Sequence, residues 1–214
     1  IMILKFIWKI KEKKNTEQGI DVNAAVMLKR PSFWLFFIWA ILLSAAGLAL
    51  IAQATGVATQ VSKGSVDGGT IATVVGLISV FNGLGRVLFG GLFDRFGRKM
   101  TMMLVNVAFF ISVCIVIASI LLESFPILVV GFICCGLSYG GITPTNSAFV
   151  NSFYGATHYP VNFSMVNLNL IFASFGGTIA GMLYDASGSY LSTFILLLVA
   201  IAAGTVCSCL IRKP

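Results

Sequence analysis

G-R-V-L-F-G-G-L-F-D-R-F-G-R-K, residues 85–99, begins inside an apolar run and ends in a compact charged turn of Asp94, Arg95, Arg98 and Lys99. Within the run, Arg86 is the only basic residue. Such a junction marks where a chain passes from hydrocarbon to water, and the rest of the sequence agrees. Of its 214 residues 58% are hydrophobic and 10% charged, with a mean hydropathy of +0.99; a soluble domain carries about 25% charge. Crossing about 30 Å of hydrocarbon takes roughly 20 mainly apolar residues in a helix, and the chain offers several such runs with polar punctuation. The fold class expected is all-α: a polytopic membrane protein.

Six spans are predicted, joined by links of turn length for the most part. The first runs from Phe33 to about Ile51, with Trp34 and Trp39 near its start, where an aromatic ring sits well at headgroup level. Gln53 to Gly69 reads as a polar connection. The second span runs from near Thr70 to near Phe93, and the third from about Thr101 to Leu122. After the turn Glu123 to Pro126, the fourth covers about Ile127 to Asn151, with Pro126 pre-set for a first helical turn. The fifth is Asn162 to Leu183 and the sixth Tyr190 to about Leu210. Short links make this one helical bundle rather than a string of domains. Ahead of it, Pro31 and Ser32 suit the first turn of the first span. Residues 1–14 either form a short interfacial helix bearing Lys5, Lys9 and Lys13 or are the tail of a preceding membrane helix. The sequence starts at Ile1 without a methionine or a signal-peptide pattern, so a piece of a longer gene product is expected.

Charge sets the orientation. Lys5, Lys9, Lys11, Lys13, Lys14, Lys29, Arg30, Arg95, Arg98, Lys99, Arg212 and Lys213 fall on one side of this topology, and Lys63 alone on the other. Cytoplasmic loops carry the excess of lysine and arginine, which places both termini, the Asp94 turn and the link containing His158 in the cytoplasm. The net charge of +7 is therefore a feature of membrane insertion and implies no nucleic-acid partner. The five cysteines lie in apolar runs and predict neither a disulfide framework nor a metal site. No acid pair, nucleophile triad or phosphate loop is present to suggest an enzyme or a cofactor. Glu123 and Asp185 fall at the far surface, so no membrane-centred carboxylate offers itself for proton coupling.

Several intramembrane residues say more than hydropathy does. Asn82, Arg86 and Gly90 recur every four residues on one helix face, and Gly76, Gly83 and Gly90 every seven, a spacing that permits close helix approach. A guanidinium in hydrocarbon pairs with an anion, carbonyls or water, or snorkels to an interface about seven residues away. Arg86 is thus either a structural or gating group or a direct contact for an anionic substrate. In the fourth span Gly131, Gly136, Gly140 and Gly141 precede Thr143 and Pro144, and Pro144 can kink the helix at the carbonyls before it. The fifth span sets Asn167, Ser174 and Thr178 near one face, with Gly177 and Gly181 beside it; Asn167 could bind solute or join helices. Asp94 opposes the local helix dipole unless Arg95, Arg98, Lys99 or the next helix's amides bond to it.

Gly90 to Lys99 resembles the signature loop G-x-x-x-D-R-x-G-R-K of the major facilitator superfamily. The pattern Asn82-Gly83-x-Gly85-Arg86-x-x-x-Gly90, the lead-in Met27 to Trp34 and the ending Gly177-x-x-x-Gly181-x-x-Tyr184-Asp185 look like the oxalate/formate antiporter and monocarboxylate-transporter branch. This resemblance covers about residues 27–211. It implies the C-terminal half of a twelve-helix transporter, with residues 1–30 in the central cytoplasmic loop, 31–214 as the six-helix bundle, and an N-terminal half missing. Gly90, Asp94, Arg95, Gly97, Arg98 and Lys99 would be the conformational loop, with Asp94 in a charge relay. Arg86, Asn82, Asn167, Ser174 and Thr143 are the candidate substrate or gating residues. A lysine that oxalate-type members carry in the eleventh helix is absent from residues 162–183. The implied function is secondary transport of a small organic anion such as a monocarboxylate, in the plasma membrane and without a cofactor; the alternative is a non-transporting membrane receptor or interaction protein of the same fold.

Overall fold

The computed structural model describes residues 20–212; the expected helix or helix tail in residues 1–14, with its lysines, and Lys213 lie outside them. The described residues are helical throughout: α1 (Ala24–Met27), α2 (Pro31–Ser62), α3 (Gly68–Leu121), α4 (Phe125–Gly140), α5 (Ile142–Tyr154), α6 (Tyr159–Asn167), α7 (Asn169–Ala173), α8 (Phe175–Ser187) and α9 (Tyr190–Leu210). Among the described residues five stretches are long and apolar enough to cross a membrane: α2, α3, α4 with α5, α6 through α8, and α9. The expected all-α polytopic bundle is what the chain forms.

Pro31 and Pro126 stand in the first turns of α2 and α4, where a missing amide costs nothing. The end of α2 departs from expectation. Gln53 to Ser62 is helix, not connection, because Ala54, Val57, Ala58 and Val61 continue a buried face at helical spacing. Its polar residues are used by the helix and its neighbours. Gln53 Nε2 donates to the Gly177 carbonyl (3.2 Å), Gln60 Oε1 accepts from the Tyr190 amide (3.3 Å), and the Thr59 hydroxyl returns to the Thr55 carbonyl (2.9 Å).

α3 decides the topology. At 1.5 Å per residue a straight helix of its 54 residues would run for about 81 Å. Lys63, just before α3, nevertheless forms an ion pair with Glu123, just after it. The two ends meet because Gly97, at φ 75° and ψ −179°, leaves helical geometry for a region that only glycine enters readily. The residues before Gly97 form leg one and those after it leg two. Asp94 and Arg95 are accordingly the last helical turn of leg one rather than a loop.

α4 packs parallel to leg one and antiparallel to leg two. Gly136 abuts the backbone of Ile78 and Gly140 that of Asn82 and Arg86, while Gly131 abuts Val116 and Gly141 reaches Val105. A Cβ at Gly136 would lie 2.5 Å from the Ile78 carbonyl oxygen, and one at Gly140 would overlap that of Asn82. Leg one answers with Gly85, whose Cβ would overlap the Leu137 carbonyl. The seven-residue glycine series was expected to make this approach, but no atom of the described residues comes within 4 Å of a Cβ at Gly76 or Gly83. Gly85 faces α4 and those two glycines face away.

The ends of the bundle are tied by side chains. Arg98 lies over the Phe153 ring at 4.7 Å, and the Ser32 and Tyr154 hydroxyls share a hydrogen bond of 2.9 Å, which brings the Gly97 turn, the start of α2 and the end of α5 to one end. A buried chain tethers α2, leg two and α9: the Trp39 indole donates to Asn106 Oδ1 (2.8 Å), whose amide donates to Ser208 (3.0 Å). Pro144 supplies no amide to the Gly140 carbonyl, and the hydrogen-bond ladder is interrupted at Gly141, whose dihedrals stay helical, between α4 and α5. The described cysteines are all thiols.

Candidate functional site

Arg86 stands on leg one about 11 residues, or roughly 16 Å of rise, before the Gly97 break. The helix continues past the first charges, Asp94 and Arg95, to the glycine. Its side chain is exposed, and its Nε donates to Asn82 Oδ1 at 3.3 Å, one turn earlier. Val87, the next residue, is 78% exposed as well. Behind this turn Gly140 of α4 presses on the backbone that carries both residues. The guanidinium is therefore presented outward from a backbone held at its rear.

Asn82 takes up one edge of the guanidinium among the described residues. A guanidinium offers five donors in a fork that matches a carboxylate, so the uncovered edge is shaped for an anion. Tyr139, beside Gly140, is half-buried and near enough to interact electrostatically with Arg86. Its ring fills the space over Gly47 in mid-α2, where any Cβ would overlap it. The sequence reading passed over Tyr139; the signal was a phenol between glycines in an otherwise apolar span.

Thr143, exposed at the start of α5, sits on the same seam, since the adjoining Pro144 is 3.8 Å from the Cβ position of Gly90 on leg one. Asn82, Arg86 and Thr143 thus border one seam. Asn167 and Ser174 do not join them. They lie on the stretch from α6 to α8, which packs on α2 through Gly176 against the Ala45 backbone and through the Gln53 bond to Gly177. The Ser174 hydroxyl donates to the Ile171 carbonyl of its own helix (2.7 Å), and Asn167 is half-buried. Asn162 and Asn106 are the asparagines that bridge elements: Asn162 reaches the Val22 carbonyl at 2.9 Å, and Asn106 sits in the Trp39 chain. α2 and α4 stand between the two groups of candidates, which form two walls.

In the signature stretch, Gly90 packs near Pro144, Gly97 makes the fold-back, and the Thr101 hydroxyl donates to the Gly97 carbonyl (2.9 Å). Arg95 lies 5.3 Å from the Phe96 ring and Arg98 over Phe153. Asp94 and Lys99 are exposed, and the ion pair among the described residues is Lys63 with Glu123 at the opposite end. His158, Glu123 and Asp185 are at the surface as expected.

Residues 31–214 match the family model described as the Major Facilitator Superfamily. A similar protein is the oxalate:formate antiporter of Oxalobacter formigenes, 23% identical over 222 residues, a match that covers 96% of this chain and 50% of that protein. The chain spans about half the length of the relative it matches. The family consists of transporters rather than enzymes. With nearly the whole helical bundle inside that one match, the chain belongs to the Major Facilitator Superfamily.

Proposed function

We propose that the chain is one half, with six membrane crossings, of a twelve-crossing secondary transporter that moves a small organic anion such as a monocarboxylate by alternating access. The observation that carries this reading is Arg86: an intramembrane guanidinium, held at one edge by Asn82 and open at the other. Burying such a charge without an anion or water is costly, which makes an anionic solute its natural partner. Counting the Gly97 fold-back as two crossings makes six of the five long helices, and the half-length match to an antiporter leaves another half to close the site. Lys29, Arg30, Arg95, Arg98, Lys99 and Arg212 would put the Gly97 end, and both termini, in the cytoplasm of the plasma membrane. Asp94 and the signature loop would hold one access state through contacts with the missing half.

Uptake by the complete parent in liposomes tests the reading. Across a panel of organic anions, Arg86→Ala is expected to lower uptake at least about tenfold, equivalent to about 1.4 kcal/mol of barrier, with Arg86→Lys in between. Equal uptake by wild type and Arg86→Ala would remove the arginine from the mechanism. The stretch from α6 to α8 has no lysine, which favours the alternative of a receptor. A folded parent that carries no solute yet binds a partner only with ligand would establish it.

A further inference from the structure

Ahead of α2 the chain is seated in a socket made by the end of α5, the 155–158 connection and the start of α6. The Val22 amide donates to the Tyr154 carbonyl at 3.1 Å, and the Val22 carbonyl accepts from Asn162 Nδ2 at 2.9 Å. Both backbone groups of one residue are thus held from opposite sides. The Thr157 hydroxyl donates to the Asp21 carboxylate. Gly155, at φ 83°, has Asp21 packed so closely that a Cβ would overlap the carboxylate, so the socket needs glycine for conformation and for space. On the other side Asn23 caps α1 through the Val26 amide (3.1 Å), and Met27 is buried.

The rim of this seat differs from the core. Val22 is half-buried against the core, but the hydrogen-bonded ties are polar, and Asp21, Asn23 and Thr157 are exposed. Segments held largely by polar ties at an exposed rim open at lower free energy than the core.

We propose that residues 21–23 are a releasable strap: docked, they fasten the 155–158 connection and the foot of α6 to the start of α2, and undocked, they let the α6 to α8 wall move. A place for this step in a transport cycle rests on the two-half reading above, whereas the strap itself does not.

Hydrogen–deuterium exchange on the complete protein in lipid nanodiscs tests it. Asp21→Asn combined with Thr157→Val changes two exposed side chains and is expected to speed exchange of the amides from 155 to 162 by about tenfold, leaving those of leg two unchanged. Gly155→Ala, which ejects Asp21 by overlap, should give the same local pattern. Unchanged exchange in both variants, or equal acceleration through the whole bundle, would overturn the strap. This readout needs no solute, so it decides even if the parent transports nothing. Where the parent does transport, solute exchange should change at least about threefold in the double variant, and wild-type turnover despite accelerated amide exchange would remove the strap from the cycle.

Discussion

The bundle has two exposed walls, and they are fastened differently. Leg one is seamed backbone to backbone onto α4 by Gly85, Gly136 and Gly140, and its Arg86 stands on the outer side of that seam. The wall from α6 to α8 is interrupted at Leu168 and Ser174, and it meets α2 through Gly176, the Gln53 to Gly177 bond and the foot at Asn162. Leu168 and Ser174 keep right-handed helical dihedrals, so the interruption lies in the hydrogen-bond ladder. The comparison teaches that leg one is held by several backbone contacts along one seam, whereas the other wall makes its close backbone contact at Gly176.

The strongest way to break this contrast is to place the same methyl group on each wall. A Cβ at Gly140 would overlap the Asn82 carbonyl and lie 3.0 Å from Arg86 N, and one at Gly176 would overlap the Ala45 carbonyl. Gly140→Ala is expected to destabilise by about 3 kcal/mol and Gly176→Ala by about 1 kcal/mol, since overpacking costs what the neighbours cannot absorb. Thermal unfolding in detergent measures both, and equal losses or the reverse order would end the distinction. Next in size is Gly97→Ala, expected to cost about 2 kcal/mol because the backbone there lies where side chains are strained. Amide exchange around residues 94–101 should rise in that variant, and an unaltered hairpin would show that the fold-back does not depend on glycine.

The finest test concerns the other end of leg one. Asp67 caps α3, and the Thr70 hydroxyl, then the Thr70 amide, hold its carboxyl below the usual carboxylate range. A lowered folded-state pKa means that the cap's contribution is complete above the unfolded value, about pH 4, and is lost as the pH falls through the lower folded value. Exchange in the first turn of α3, corrected for the intrinsic pH dependence, should therefore rise only in that acidic window, and Asp67→Asn should abolish the rise. Fraying that is the same in both proteins at every pH would sink the assignment.

What was legible beforehand follows from the size of each signal. The contrast between an apolar run and the Asp94 to Lys99 charges is large, so the hairpin end showed, and prolines 31 and 126 marked helix starts, and Pro144 the interruption of the ladder at Gly141, because their effect is local. The last third of α2 was misread as a connection, since Gln53, Thr59 and Gln60 look like loop residues until Gly177 and the Tyr190 amide are known to stand opposite. The glycine spacing at 76, 83 and 90 pointed to a contact that Gly85 makes instead, because periodicity defines a face without saying what lies against it. Tyr139 carried only the weak signal of a phenol between glycines, and Asn106 and the segment at Val22 carried none; each acquires its role from a partner far along the chain.

By itself, then, the sequence determined the membrane setting, the helical class, the family loop and a lone intramembrane arginine. These are properties of composition and short spacing, which the solvent reads directly. Only the tertiary structure decided that α3 folds back at Gly97, that Gly140 braces Arg86 from behind, and that Asn82 and Thr143 stand apart from Asn167 and Ser174. Those outcomes depend on which faces meet, and close packing settles that collectively, across residues that local pattern cannot relate.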